Sequence, residues 1–125
     1  MLAITEELCK EFLALDNGIR FVGAADMRGK ITASAYRQGL KSLLTKEESE
    51  LSATQSILRM GTRKTMEQKL GRTVYAFAMY EKVKRVTIPI KDNGILMLSF
   101  DIEVDHEPII VDKIVPRLKA LDCLA

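Results

Sequence analysis

Apolar and polar residues alternate along two short segments near the start of the chain. Residues 19–26 and 30–36 each place apolar or small side chains at every second position, which is the period of a half-buried β-strand. The connection between them begins with Asp26 and ends with Gly29, the preference of a type I turn. The pattern predicts an antiparallel hairpin.

Helical periodicity occurs before this hairpin and again after it. A first apolar stripe predicts a helix that ends at Asn17-Gly18, and its members are Ile4, Leu8, Phe12 and Leu15. Farther on, Thr45 and Glu48 have the spacing of a capping box, and Gly71 supplies a stop. We therefore expect one helix of about 25 residues, roughly 37 Å long, which either projects beyond the sheet at one end or bends near Gly61.

Three further strands are predicted at residues 73–80, 83–90 and 95–102, where apolar positions again alternate. Glu81-Lys82 connects the first two strands. Asn93-Gly94 connects the last two and is typical of a type I′ turn, because both residues tolerate positive φ angles.

A closing helix is predicted from the stripe Ile110, Ile114, Leu118 and Leu121. Pro108 suits the first turn of this helix, with Asp105 or His106 just ahead as the cap. Pro116 lies inside the pattern, where proline removes a backbone hydrogen bond. We expect a bend at that position.

These elements predict an α+β fold with the order α-β-β-α-β-β-β-α and a five-stranded antiparallel sheet flanked by helices. The 125 residues suit one domain, 1–125. The apolar fraction of 47% and the charged fraction of 29% are those of a globular protein. No segment is long and apolar enough to cross a membrane, and Glu6, Glu7 and Glu11 interrupt any signal peptide. The sequence predicts a cytoplasmic protein without membrane insertion.

Groups that could perform catalysis are scarce. The one histidine, His106, lies among Glu103, Asp105 and Glu107, where a carboxylate would raise its pKa or join it in binding a metal. The alternative, which we prefer, is a solvated helix N-terminus. Cys9 and Cys123 are far apart in sequence and suggest two partly buried thiols, and no phosphate-binding glycine motif is present. The sequence predicts no enzyme, no cofactor and no metal.

Basic residues are concentrated in one part of the chain. Residues 59–91 hold nine Lys or Arg against two Glu, and the candidates for a partner-binding basic patch are Arg59, Arg63, Lys64, Arg72, Lys82, Lys84 and Arg85. Three interpretations remain open: a solvated helix face, an acidic protein partner, or nucleic acid, whose phosphates attract such residues. Glu67 interrupts the patch and no RNA-binding aromatic pair accompanies it, which makes nucleic acid the weakest of the three.

The segment from Thr73 to Tyr80 is apolar on both faces of a strand. Such a strand is either central and fully buried, or it lies at the edge of the sheet and is covered by another copy of the chain. An exposed apolar edge would otherwise aggregate, so the second alternative predicts a dimer.

The order of elements resembles the Roadblock/LC7 domain, a relative of the longin and profilin-like folds, over nearly the whole chain. A closer likeness in sequence is to an uncharacterised archaeal domain family. It rests on residues 19–39, on Glu47 to Glu50 followed by Leu51, Gln55, Arg59 and Arg63, and on Leu70-Gly71 with residues 81–90.

The Roadblock/LC7 resemblance implies a non-catalytic dimerising adaptor or regulatory subunit that acts beside a small GTPase or a motor. Such domains pair through the long helix and the strand after it, as homodimers or heterodimers, and a homodimer is our expectation. On this chain the resemblance assigns the dimer interface to Leu58, Thr62, Tyr75, Phe77 and Met79.

Two other classes of function remain open. A PAS-like or GAF-like sensor would need a ligand cavity between sheet and helix. The small residues of the first hairpin are compatible with such a cavity, although we favour close helix packing over them; they are Gly23, Ala24, Ala25, Ala33 and Ala35. A basic nucleic-acid-binding accessory protein is the other class.

Overall fold

The computed structural model describes residues 3–125, which form a five-stranded antiparallel sheet flanked by helices. The strands lie side by side in the order β2-β1-β5-β4-β3. Their bounds are β1 Ile19–Ala25, β2 Ile31–Tyr36, β3 Ala76–Met79, β4 Val83–Ile90 and β5 Gly94–Asp101. All four neighbouring pairs are antiparallel, so the predicted fold class is confirmed.

The helices lie before, between and after the strands in the predicted order. The first two long segments are α1 Glu6–Leu13 and α2 Lys46–Lys64, and α2 is followed by the short α3 Glu67–Leu70. The closing segment comprises α4 His106–Ile109, a π-helical turn at Ile110–Ile114, and α5 Val115–Ala120. None of these helices is long and apolar enough to cross a membrane within the described residues.

The two faces of the sheet are packed very differently. The larger core lies between one face and the helices α1, α4 and α5, and it includes the fully buried Phe12, Phe100 and Leu118. The opposite face meets α2 through a smaller cluster: Ala25, Ala53, Met60, Ile95 and Met97. Because α2 buries mostly short side chains, it is the less firmly packed layer and leaves more of its surface in solvent.

The hairpin between β1 and β2 forms as the sequence predicted. The N–H of Gly29 donates to the carbonyl of Asp26 at 2.9 Å, and Gly29 has a φ of +84°. A β-carbon at Gly29 would lie 2.6 Å from the Cα of Thr54 on α2. The helix α2 therefore packs closely against this turn, whereas its first half stands off the sheet above a cleft. Of the small residues over which we favoured close helix packing, Ala33 and Ala35 pack against the larger core.

The turn between β4 and β5 differs from the predicted one. Positive φ angles occur at Asp92 (63°) and Asn93 (60°), while Gly94 has a φ of −89° and is the first residue of β5. The prediction of an Asn93-Gly94 turn was wrong by one residue. A β-carbon at Gly94 would lie 2.8 Å from the carbonyl oxygen of Ala25. The absence of a side chain at Gly94 therefore allows the end of β1 to lie close to the start of β5.

The long helix begins as predicted and ends early. Thr45 and Glu48 form a capping box, with bonds of 2.9 and 3.1 Å between side chains and backbone N–H groups. The helix α2 is unbroken at Gly61 and continues to Lys64. The backbone N–H and the hydroxyl of Thr65 both donate to the carbonyl of Thr62, which tightens the last turn. Gly71, with a φ of 88°, caps α3.

The closing helix accommodates its internal proline by a change of helix type. The π-helical turn immediately precedes α5, where Pro116 is the second residue. The predicted interruption at Pro116 thus takes the form of a wider turn, since proline lacks the N–H of a regular helical bond. Asp105 occupies the cap position of α4, but its side chain makes no capping bond.

Candidate pairing surface

Strand β3 forms one edge of the sheet. It pairs with β4 through Ala76–Thr87, Phe77–Val86, Ala78–Arg85 and Met79–Lys84, and within residues 3–125 no strand lies on its other side. The sequence left open whether this segment is a central strand or an edge, and the structure places it at the edge. Its outer backbone groups therefore face solvent in the single chain.

Two residues direct their backbone groups outward from this edge. The N–H of Tyr80 donates to the carbonyl of Val83 at 2.9 Å across the β3–β4 turn. Because bonded and non-bonded pairs alternate along an antiparallel ladder, Ala78 and Ala76 also bond to β4. The N–H and C=O groups of Phe77 and Met79 consequently point away from the sheet.

Exposed apolar side chains are concentrated in the part of the chain that runs from α2 to β3. Thirteen large apolar side chains are exposed among residues 3–125, and eight of them lie between residues 51 and 80. They are Leu51, Leu58, Met66, Leu70, Val74, Phe77, Met79 and Tyr80. A surface of this composition is typical of a contact with another protein.

Four of the five predicted interface residues are exposed, and the fifth is not. Leu58 on α2 and Met79 on β3 are each 66% exposed, and Thr62 and Phe77 are exposed as well. Tyr75 is half-buried, precedes β3, and packs against the larger core. We use the name pairing surface for Leu58, Thr62, Val74, Phe77 and Met79. The sequence reasoning omitted Val74, although it belongs to the same apolar run.

His106 is not the solvated residue that we preferred from the sequence. Its ring is half-buried and stacks on Phe77, and its buried Nδ1 has no hydrogen-bond partner among residues 3–125. Burial, followed by the positive charge of Lys84, lowers the pKa of His106, although Asp105 and Glu107 act in the opposite direction. The pKa of His106 is thus not raised by the carboxylates, which was the less favoured alternative from the sequence, because the loss of solvent outweighs them. No cluster of metal-ligating side chains is found within residues 3–125.

The seven candidates for a basic patch lie on different parts of the molecule. Lys84 turns to the face of the large core and donates to the carbonyl of Val104 at 2.6 Å. Its neighbour Arg85 turns to the α2 face and donates to Ser52 Oγ, also at 2.6 Å. Lys64 contacts Asn93, Arg72 contacts the carbonyl of Ala125, and Lys82 lies in the β3–β4 turn.

Three arginines of this set gather on the α2 side of β3. Arg59, Arg63 and Arg85 line a small groove beside Phe77 and Ala78. Arg59 Nη2 donates to Ser56 Oγ at 3.2 Å. Among residues 3–125 none of the three lies within 4 Å of a carboxylate. A positive strip therefore borders the pairing surface.

The two cysteines lie in the interior. Cys9 and Cys123 are both buried beneath the terminal helices. Burial raises the pKa of the Cys9 thiol to about 11, with a smaller effect from Glu6, and burial likewise raises the pKa of Cys123. A thiol with so high a pKa is a weak nucleophile at neutral pH.

Comparison of the sequence with known families and curated proteins finds no match. No protein-family profile matches the sequence, and no curated protein sequence is significantly similar to it. The likeness to an archaeal domain family accordingly stays a prediction.

Solved structures, in contrast, resemble this chain over most of its length. A tetrameric arrangement of MglB has a TM-score of 0.72 and 17% identity, covering 93% of this chain and 83% of its own. The gliding protein MglB from Thermus thermophilus has a TM-score of 0.71 and 16% identity, with coverages of 93% and 84%. A Roadblock/LC7 domain from Streptomyces avermitilis has a TM-score of 0.69 and 7% identity, with coverages of 93% and 95%. The fold of this chain is Roadblock/LC7-like.

Proposed function

We propose that this chain is a non-catalytic dimerising adaptor or regulatory subunit whose copies join through the pairing surface. The observation that carries the proposal is the exposed apolar edge strand β3. An unprotected apolar edge is an aggregation hazard. In a twofold-symmetric dimer the edge strand of each copy pairs with that of the other, so the backbone groups and apolar side chains of both edges are covered.

The geometry supports a ladder between two β3 strands. Phe77 and Met79 direct their backbone groups outward, so two antiparallel copies would exchange hydrogen bonds and extend the sheet to ten strands. Leu58 and Thr62 on α2 would then face the partner's helix above the joined sheet. This arrangement covers the backbone edge and the helix face with one interface.

The exposed side chains supply enough apolar surface for such an interface. Burying one large apolar side chain contributes about 1.5 to 3 kcal/mol. Leu58, Val74 and Met79 are each more than half exposed, and each is buried twice in a symmetric dimer. Because only the exposed part of each is newly buried, six such side chains contribute about 5 to 12 kcal/mol, against a cost of association of roughly 4 to 15 kcal/mol in lost freedom.

The proposed protein partner of this dimer is a small GTPase. Support comes from the Roadblock/LC7-like fold and from the regulatory role that the sequence resemblance implies. Arg59 and Arg63 lie beside the pairing surface with no carboxylate partner among residues 3–125, so they are suited to an acidic surface. No catalytic group is required of this chain in that role.

Light scattering after size-exclusion chromatography tests the pairing, with Leu58→Asp as the variant. Leu58 has little contact within its own chain, so we expect a folded monomer where the wild type runs at twice the chain mass. Met27→Asp is the matched control, because Met27 is 60% exposed in the distant β1–β2 turn. A wild type that stays monomeric at tens of micromolar would contradict the proposal.

The partner is tested separately with purified small GTPases from the same organism. We expect one of them to bind the wild type and to bind the double variant Arg59→Gln/Arg63→Gln at least tenfold more weakly. The control is Lys113→Gln/Lys119→Gln, which removes two exposed charges from the closing helix layer. An equal loss of affinity in both double variants would show that only the net charge matters, and it would reject Arg59 and Arg63 as the contact surface.

A further inference from the structure

A cleft of about 670 Å³ lies between the first half of α2 and the sheet. Clefts of roughly 300 to 1,000 Å³ are the size that holds small organic molecules. Its floor includes Phe21 and Tyr36, whose ring centroids are 4.7 Å apart. Gly23 makes room for this floor, because a β-carbon there would lie 2.5 Å from the ring of Phe21.

The walls of the cleft carry apolar side chains that the chain leaves in solvent. Of the thirteen exposed large apolar side chains in the described part of the chain, five line this cleft. They are Tyr36, Leu43, Leu44, Leu51 and Tyr80. Leu43 and Leu44 belong to the loop after β2, away from the pairing surface, so pairing through β3 does not account for their exposure.

The cleft also contains one half-buried positive charge with no matching acid. Arg85 donates to the buried hydroxyl of Ser52 at 2.6 Å and has no carboxylate within 4 Å among residues 3–125. The other half-buried arginine, Arg20, is matched by Asp101 at 3.1 Å. Glu48 is engaged in the capping box of α2.

The remaining charges of the cleft lie at its rim. Glu81 and Lys82 are both exposed in the β3–β4 turn, and solvent weakens their influence on the interior. A half-buried guanidinium that lacks a counter-charge is costly to keep, and its fork of N–H groups matches the two oxygens of a carboxylate. Ser52 holds this fork in place at the inner side of α2.

We propose that this cleft binds a small organic carboxylate, whose apolar body lies over Phe21 and Tyr36 and whose acid group pairs with Arg85. None of the residues of the pairing surface lines this cleft, although Tyr80 and Arg85 lie beside both. The proposed site gives a function to the apolar loop after β2 and to the contact between Arg85 and Ser52, neither of which pairing uses.

Isothermal titration calorimetry tests the proposal with decanoate and the uncharged decan-1-ol as probes on the full chain. We expect saturable one-to-one binding of decanoate at submillimolar concentration. Arg85→Gln should weaken the affinity for decanoate roughly ten- to a hundredfold, as expected for the loss of a charge-assisted hydrogen bond. The affinity for decan-1-ol should stay unchanged. Arg59→Gln is the matched control, because Arg59 also donates to a buried serine of α2 but does not line this cleft.

A second variant separates the cleft from a general effect of charge. Ser99→Leu adds volume to the floor of the cleft from β5, and we expect it to weaken both probes. If Arg85→Gln fails to fold, Arg85→Lys keeps the charge without the fork and should bind decanoate at an intermediate strength. Absence of saturable binding up to 1 mM overturns the proposal, as does an equal loss in Arg85→Gln and Arg59→Gln.

Discussion

The ring of Phe77 stacks on the imidazole of His106, with the centroids 4.1 Å apart and the planes 4° from parallel. This contact fixes the edge strand to the beginning of the closing helix. Phe77 is nevertheless 41% exposed, so one side of its ring supports the chain's own fold while the remainder is open to a partner. A charge placed at Phe77 would therefore disturb folding and pairing together.

The stability of the chain should depend on pH through His106. Burial lowers the pKa of this residue below its ordinary value of 6.5, so the folded state favours the neutral ring. That contribution is fully present above the unfolded pKa of about 6.5 and is lost as the pH falls from there through the folded pKa. We expect a smaller free energy of unfolding at pH 5.5 than at pH 7.5, measured by urea denaturation at one fixed protein concentration.

His106→Phe is the control for this pH dependence. Phenylalanine retains a ring that can stack on Phe77 but cannot take up a proton, so the difference between the two pH values should shrink. The groups that face the ring, Lys84, Asp105 and Glu107, remain in both proteins. An unchanged pH dependence in the variant would assign the effect to another group.

Asp101 should contribute more to stability than an exposed ion pair does. Its carboxylate accepts two bonds from Arg37, at 2.7 and 3.1 Å, and one from Arg20 at 3.1 Å. Only 26% of its side chain is exposed. Asp101→Asn should cost about 1 to 2 kcal/mol in the free energy of unfolding. Glu11→Gln, which breaks the exposed two-bond pair with Arg117, should cost less.

The pH dependence of this cluster has the same direction as that of His106 but falls in a lower pH range. The hydrogen bonds from Arg37, and then from Arg20, lower the pKa of Asp101. Its contribution is fully present above the unfolded pKa of about 3.9 and is lost as the pH falls through the lowered folded value. Acid denaturation below pH 4 should thus be less steep in Asp101→Asn. Equal costs for the Asp101 and Glu11 variants would contradict the assignment.

Two glycines with similar backbone angles allow strain and contact to be separated. Gly29 and Gly39 have φ angles of +84° and +77°, and alanine at either position should cost about 1 to 2 kcal/mol from the backbone alone. At Gly29 the new methyl would also meet Thr54 at 2.6 Å, whereas at Gly39 no atom of the described residues would lie within 4 Å of it. Thermal unfolding should show Gly29→Ala as the more damaging change. Equal losses of stability in Gly29→Ala and Gly39→Ala would mean that α2 moves away from the hairpin turn at no cost.

The sequence predicted the features that depend on neighbours in the chain. The capping box of Thr45 and Glu48 and the turn from Asp26 to Gly29 each need only residues within four positions. Gly94 was misassigned because its role depends on the approach of β1, which lies far away in sequence. His106 was misassigned for the same reason, since Phe77 removes it from solvent only in the folded chain.

The candidate sites were predicted to different extents. The apolar run around Phe77 and Met79 indicated a surface for pairing because both faces of a strand were apolar. The predicted basic patch does not form one surface. Lys84 and Arg85 are consecutive in a strand, so their side chains lie on opposite faces of the sheet. A cavity between sheet and helix was the less favoured alternative from the sequence, because the cleft over Phe21 depends on how far α2 stands from the sheet.

The most direct test of the pairing account removes one outward N–H from the edge of β3. Met79→Pro deletes this donor without breaking the ladder to β4, and proline is tolerated on an edge strand in that orientation. Met79→Ala makes a similar loss of apolar side chain and keeps the donor. Light scattering should find the wild type and Met79→Ala at twice the chain mass and Met79→Pro at the mass of one chain. A dimer that persists in Met79→Pro would contradict the claim that copies of this chain join through β3.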